Sequence, residues 1–225
     1  MWAVVTDDYR IFVYKEGYLR TSSTEYDTNA RSNNVHLTNQ CLQVHTDNYG
    51  TYEEGNTLMF NQFEAYLKEE MPQHNLNFEE HFLPRMKDIM IDSFLSVRQK
   101  MNPNRRKNVF ELFGFDFLLD EDFRLWLIEI NTNPFLGTPN KEMQRLVPQM
   151  IEDLVKLTVD PVFRPRTKPD EYDRTGFELI YREELGNIPA VNHRRPFALD
   201  LCYPILELKP FIGKPPKNIT CKIKV

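Results

Sequence analysis

With 225 residues and a mass of 26.8 kDa, the chain can bury a core as one large domain, or as one domain with an extension. Its 41% hydrophobic and 27% charged residues are ordinary for a globular protein, and a net charge of −5 argues against a duplex-binding surface. Cys41, Cys202 and Cys221 are scattered, with no CxxC pair, so neither a disulfide framework nor a zinc site is indicated; no apolar run nears the ~18 residues of a spanning helix, so the expectation is a protein of a reducing, intracellular compartment.

Residues 1–6 (MWAVVT) and 10–14 (RIFVY) are β-branched and aromatic runs on either side of Asp7-Asp8, which predicts a strand, a tight turn and a second strand. A sequence that opens inside a strand is expected to start at a fragment boundary. Lys15-Glu16-Gly17 makes the next turn, with Gly17 free to take positive φ, and residues 18–21 resume an extended run. The stretch 22–34 is polar and loop-like. His36-Leu37-Thr38-Asn39 follows as a short extended piece that, taken locally, reads as a turn with side-chain to backbone bonds.

After a loop over 48–56, a helix is predicted over 57–70, with Met59, Phe60, Phe63, Tyr66 and Leu67 on one face. Pro72 ends it. Phe82, Met86, Ile89, Met90, Phe94 and Val97 recur at three- and four-residue spacing in a longer helix over about 78–101 and mark its core face. Pro84 does least harm if that helix starts near His81. Asn102-Pro103-Asn104 stops it, and Arg105-Arg106-Lys107 reads as a solvated loop, with docking of an acidic partner as the alternative.

The stretch 109–136 places acids inside the most apolar run of the chain. Asp116 stands between Phe115 and Phe117, and Glu129 between Ile128 and Ile130, burials that need a partner. Residues 110–119 and 125–131 are predicted as an antiparallel hairpin joined by 120–124. Alternation puts Gly114 and Asp116 on one face of the first strand and Glu129 and Asn131 on one face of the second; a four-residue loop would set Asp116 across from Glu129, with open space beside them at Gly114. Carboxylates that close are either an acid/base pair or the ligands of a shared cation. With the amide oxygen of Asn131 nearby, the hard oxygens of Asp116, Glu129 and Asn131 suit Mg²⁺; a structural Asp and Glu satisfied by backbone groups is the alternative. No GxxxxGK[ST] loop occurs, which excludes the P-loop route to nucleotide.

Asn133-Pro134 turns the chain away, and Asn140 caps an amphipathic helix running to about Val159. Nine of the fifteen prolines lie beyond Val159, where short extended runs at 177–181 and 204–208 are expected to pack through Phe177, Ile180, Tyr181, Leu201 and Tyr203.

Taken together, YKEGYLRTSS (14–23), HLTN (36–39), FELFGFDFLLD (110–120), WLIEINTNP (126–134) and the closing helix with VDPVF (159–163) resemble the C-terminal part of the tubulin tyrosine ligase-like family. The resemblance runs from residue 1 to about 165. It implies an α+β fold, the C-terminal portion of an ATP-grasp catalytic domain with an antiparallel sheet and covering helices, incomplete at its N-terminus, over 1–163, followed by a Pro-rich extension with short strands over 164–225. It also implies a ligase that uses ATP and Mg²⁺ to turn a carboxylate into an acyl phosphate, which an amine then attacks, so that free glutamate, glycine or tyrosine is joined to tubulin.

Carried over residue by residue, Asp116, Glu129 and Asn131 would hold Mg²⁺ around the ATP phosphates. Arg20 would face the substrate carboxylate or acyl phosphate, which suits its bidentate fork, and Thr38 and Asn39 would stand at the junction of ATP and substrate as catalytic and nucleotide-binding residues. The implied partners are tubulin or microtubules through their acidic tails, not nucleic acid or membrane; the implied state is a monomer in the cytoplasm, on the cytoskeleton, at a cilium or basal body. The family's nucleotide-binding lysines and its KFD(I/L)R-like strand fall outside the matching stretch, so the 225 residues alone are expected not to turn over ATP at a useful rate. A non-catalytic tubulin-binding remnant is the alternative reading.

Overall fold

The computed structural model describes residues 1–163 and 175–182, together with the backbone of 223–224. Leu201, Tyr203 and the run 204–208 lie outside the described residues. The fold is α+β, with antiparallel strands and covering helices, and the chain divides into two compact units. The first comprises 1–17, 86–115 and 129–203; the second comprises 18–85, 116–128 and 204–225.

In the first unit, β1 (Trp2–Thr6) and β2 (Arg10–Tyr14) form the expected hairpin, in register Val4 to Phe12. Its turn is closed by Tyr9 N–H to Thr6 O at 3.0 Å, with Tyr9 at φ 59°, while Gly17, expected to take that conformation, does not. β5 (Phe110–Leu119) adds to β1 through its first half, pairing Trp2 with Gly114 and Thr6 with Phe110. On the other side β7 (Phe177–Arg182) pairs with β2, giving the strand order β5, β1, β2, β7. The expected packing of this short run is met at Phe177 and Tyr181, which are buried, but only in part at Ile180, which is half-buried; the Lys87 ammonium grips both Glu178 oxygens at 2.8 Å.

Helix α4 (Leu83–Met101) buries Met86, Ile89, Met90 and Phe94, the predicted stripe, and Phe94 meets Phe113 and Phe115 edge-on at 5.0 and 5.2 Å. Val97, expected in the core, is on the surface. The helix is preceded by a π turn over Phe78–Phe82, capped by Asn77, so helical structure starts three residues before His81. Pro84 therefore sits well inside the helical run. The widened turn lies just ahead of the position where proline's missing N–H interrupts the bonding ladder.

Helix α5 (Lys141–Thr158) starts where Asn140 Oδ1 accepts from Met143 N–H at 2.9 Å and buries Met143, Leu146, Val147, Met150 and Leu154. One acid is buried with them. Asp153 accepts from the Tyr14 hydroxyl at 3.2 Å, from Gly176 N–H at 2.8 Å and from Gln149 Nε2 at 3.2 Å, which ties α5 to β2 and to the chain entering β7.

In the second unit, β3 (Tyr18–Thr21) pairs with β4 (Thr57–Met59), and β8 (Ile223–Lys224) bridges β3 to Leu118 on the second half of β5. The predicted helix over 57–70 is thus divided: its first three residues are a strand, and α3 (Phe60–Glu70) begins only at Phe60. Backbone pairing to β3 outcompetes the first helical turn there, while Gln62 caps the shortened helix by accepting from Met59 N–H at 2.7 Å. Phe60 and Phe63 pack on Phe78 with ring centroids 4.4 and 5.9 Å apart, and Leu19, Phe117 and Leu119 are buried in this unit.

Candidate active site

The hairpin that carries the acids is made by β5 and β6 (Leu125–Asn131), and both strands pass through both units. In the second unit its loop has three residues. Phe123 N–H donates to Asp120 O at 3.0 Å and Asp120 N–H to Arg124 O at 3.1 Å, with Phe123 left-handed at φ 61°. The cause is the Asp120 carboxylate, which accepts from Asp122 N–H, Arg124 N–H and the Trp126 indole at 2.8–3.0 Å and so closes the turn one residue early. The four-residue loop that would set Asp116 directly across from Glu129 is not formed.

In the first unit Glu129 and Asn131, two residues apart on β6, are brought together: Asn131 Nδ2 donates to Glu129 Oε1 at 3.1 Å. With its amide nitrogen committed there, Asn131 has Oδ1 as the atom able to coordinate a cation. The open space expected at Gly114 is filled. A Cβ on Gly114 would lie 2.9 Å from Pro134 Cβ and 3.8 Å from Asn131 Cβ, so the absent side chain lets the β6 exit lie directly on β5. Asn133-Pro134 thus packs back on the strand it was expected to leave.

Asp116 is half-buried and belongs to the second unit, with Arg20, Thr38 and Asn39. Arg20, on β3, is half-buried, with its guanidinium 5.9 Å from the Tyr18 ring centroid. HLTN is helical only at His36; Leu37 and Asn39 keep extended backbone, at φ −115°, ψ 121° and φ −59°, ψ 126°. His36 closes the single turn α1 (Asn33–His36), and Asn39 caps the single turn α2 (Gln40–Gln43), its Oδ1 accepting from Cys41 N–H at 2.9 Å. Leu37 and Thr38 form the link between them. For Asn39 the local reading of the sequence holds, since its side-chain oxygen serves the backbone.

Two buried amides that sequence reasoning missed set the position of this segment. Gln43 is fully buried; its Oε1 accepts from Ser23 N–H at 2.8 Å, and its Nε2 donates to Asn34 O and Leu37 O at 2.9 and 2.6 Å. Asn56 donates to Thr21 O and Ser23 Oγ at 3.1 and 2.8 Å and accepts from Gly50 N–H at 2.8 Å. Together they fasten 34–37 and 50–56 to the end of β3, next to Arg20. Asn56 had a sequence signal, since Gly55-Asn56 is a turn dipeptide and both residues are left-handed, at φ 63° and 50°. Gln43 had none, because a glutamine in a polar stretch looks like a surface residue.

Among the described residues no three His, Cys, Asp or Glu side chains cluster as a metal site. The expected set has two carboxylates and one amide, the donor chemistry of a magnesium ion that keeps open positions for water and phosphate. Among the same residues no helix is long and apolar enough to cross a membrane.

Residues 1–167 match the profile of the Tubulin-tyrosine ligase family. The chain is 36% identical over 194 residues to tubulin glycylase 3A of Drosophila melanogaster, covering 84% of this chain and 19% of that protein. It is 34% identical to tubulin glycylase 3B of Tetrahymena thermophila, over 81% of this chain and 15% of that protein, and 30% identical to tubulin monoglycylase TTLL3 of Homo sapiens, over 84% and 24%. The chain therefore spans about a fifth of the length of these relatives.

Proposed function

The chain belongs to the tubulin-tyrosine ligase family, and from that premise we propose that it forms the C-terminal portion of an ATP-grasp ligase that joins an amino acid to tubulin, with residues 164–225 as an extension. Glycine is the amino acid proposed, because the relatives matched over most of this chain are named as tubulin glycylases. The observation that carries the site assignment is the Asn131 to Glu129 bond, which aligns two hard oxygen donors on one strand.

In this reading Asp116, Glu129 and Asn131 hold Mg²⁺ and ATP. The ion, when bound, neutralises phosphate charge while the γ-phosphoryl group passes to a carboxylate. Arg20 presents its fork to the substrate carboxylate and then to the acyl phosphate, and Thr38 and Asn39 fix the nucleotide against the substrate. The amine of the incoming amino acid attacks the acyl carbon, the C–N bond forms and phosphate leaves. Catalysis rests on positioning and on charge neutralisation. Gly114 contributes by letting Asn131 lie close on β5.

The test is incorporation of labelled glycine, glutamate or tyrosine into purified tubulin by the protein that carries these residues. Asp116→Asn and Glu129→Gln should each lower the Mg²⁺-dependent rate by roughly a hundredfold or more. Arg20→Lys should lower it by about tenfold or more, because an ammonium lacks the fork. Unchanged incorporation in the Asp116 and Glu129 variants would overturn the site, and preferred incorporation of glutamate or tyrosine would overturn the amino acid.

A further inference from the structure

Ser23 has no part in the ligase steps above, yet it is buried, and its N–H and its hydroxyl are both taken by buried side-chain amides. The N–H donates to Gln43 Oε1 and the Oγ accepts from Asn56 Nδ2, each at 2.8 Å. Each amide also reaches a residue next to the proposed site. Gln43, the last residue of α2, donates to Leu37 O at 2.6 Å, one residue before Thr38. Asn56 donates to Thr21 O at 3.1 Å, one residue after Arg20. A continuous path therefore runs from Arg20 through Thr21, Asn56, Ser23 and Gln43 to Leu37 and Thr38, all of it inside the second unit.

The path is fully bonded. Asn56 uses both amide hydrogens and accepts from Gly50 N–H, and Gln43 uses its own on Asn34 O and Leu37 O while accepting from Ser23. The strand that carries Arg20 is held twice more, by pairing of Arg20 with Thr57 and by the Thr21 hydroxyl, which donates to a Glu53 oxygen at 2.8 Å. Stability alone does not call for such an arrangement, because apolar side chains of the same shape fill a buried volume about as well. A satisfied polar network supplies what they do not, a single fixed geometry among its members.

We propose that Ser23, Gln43 and Asn56 are positioning residues that lock Arg20 and the Thr38-Asn39 link into one rigid piece. The fork that faces the substrate carboxylate then keeps a fixed placement relative to the residues beside the nucleotide. The roles of Arg20, Thr38 and Asn39 in this inference rest on the ligase reading. Transfer of a phosphoryl group to a carboxylate needs that fixed relation, because the attacking oxygen has to lie in line with the bond that breaks, and a small misplacement lowers the rate more than it lowers binding. The rigid coupling itself belongs to the fold and needs neither nucleotide nor magnesium.

The experiment compares Gln43→Leu with Asn56→Gly, which removes the side chain and keeps the left-handed backbone found there at φ 50°. Amide hydrogen exchange on the full chain, without ATP or Mg²⁺, reads the coupling. Asn56→Gly should speed exchange at 37–39 by about threefold or more although Asn56 bonds none of them, and Gln43→Leu should do the same at 50–56. In the incorporation assay, with the protein that carries these residues, each variant should lower kcat by about tenfold or more while KM for ATP moves by less than about threefold. In an Arg20→Lys background Asn56→Gly should cost less than about threefold, because its effect passes through the fork. Asn140→Ala, which weakens the fold in the other unit, should leave kcat within about twofold. Exchange changes confined to the residues each amide touches, the full loss in the Arg20→Lys background, or an equal loss in Asn140→Ala would each overturn the proposal. Exchange coupling in a wild-type protein that incorporates no amino acid would support the rigid piece and overturn the ligase reading.

Discussion

Replacement of Gln43 by Leu removes the side chain that fastens HLTN to the end of β3. Leu cannot bond Ser23 N–H, Asn34 O or Leu37 O, but these three groups do not suffer equally. Asn34 O keeps a partner in the Ser22 hydroxyl at 3.1 Å, and Leu37 lies on the surface, 43% exposed. Ser23 is 2% exposed, and its N–H is left orphaned in the interior. An orphaned buried donor costs about 1–3 kcal/mol, and the extra apolar burial of Leu returns about 1 kcal/mol. With a few tenths from the poorer Leu37 bond, the net loss is about 1.3 kcal/mol, close to tenfold in the closing equilibrium of this segment. Amide hydrogen exchange followed peptide by peptide should show Ser23 and residues 34–43 exchanging faster by about that factor, and urea denaturation should show the matching loss. A Leu variant that keeps the Ser23 amide protected, and loses less than about 0.5 kcal/mol, would refute the assignment of Gln43 as the fastening residue.

Gly114→Ala places a methyl group 2.9 Å from the stiff Pro134 ring, and the expected cost is about 1–3 kcal/mol in urea denaturation, with displacement of the β6 exit visible as faster exchange over 131–134. Asn140→Ala removes the cap of α5 and should lower the unfolding free energy by about 1–2 kcal/mol, whereas Asn140→Asp should retain most of it. Burial first, and the Asp153 charge next, push the Tyr14 phenol well above the ordinary tyrosine range. The folded chain then keeps a proton that the unfolded chain has released, so stability is fully present below about pH 10 and falls as the pH rises beyond it; Tyr14→Phe should flatten that fall in urea midpoints taken on either side of pH 10.

Much of the frame was legible in the residues because it depends on short-range pattern. Alternation gave β1, β2, β5 and β6, the three- and four-residue spacing gave α4 and α5, and Asn140 announced its helix. What failed did so for nameable reasons. Residues 57–59 have no strand signature of their own and become β4 because Tyr18–Thr21 offers them a ladder. Positive φ was expected at Gly17, in the turn after β2, but it appears at Tyr9, in the turn before β2, where the Thr6 carbonyl accepts from Tyr9 N–H and the Thr6 hydroxyl from Arg10 N–H. Leu37 and Asn39 are extended, as expected of HLTN, but nothing near them in sequence announces the buried Gln43 that supports the segment.

The hairpin divides most clearly between the two sources. Sequence alone determined that two acids and an amide lie in an apolar β-rich run, and the order of motifs was enough to indicate the family that the profile match then established. That information is chemical and linear, so it survives without coordinates. Only the tertiary structure decided the loop length, because the Asp120 carboxylate closes the turn on Arg124, and only it decided that Gly114 is pressed against Pro134 and Asn131. Those outcomes depend on which groups meet across the fold, a competition among backbone partners that no local pattern encodes.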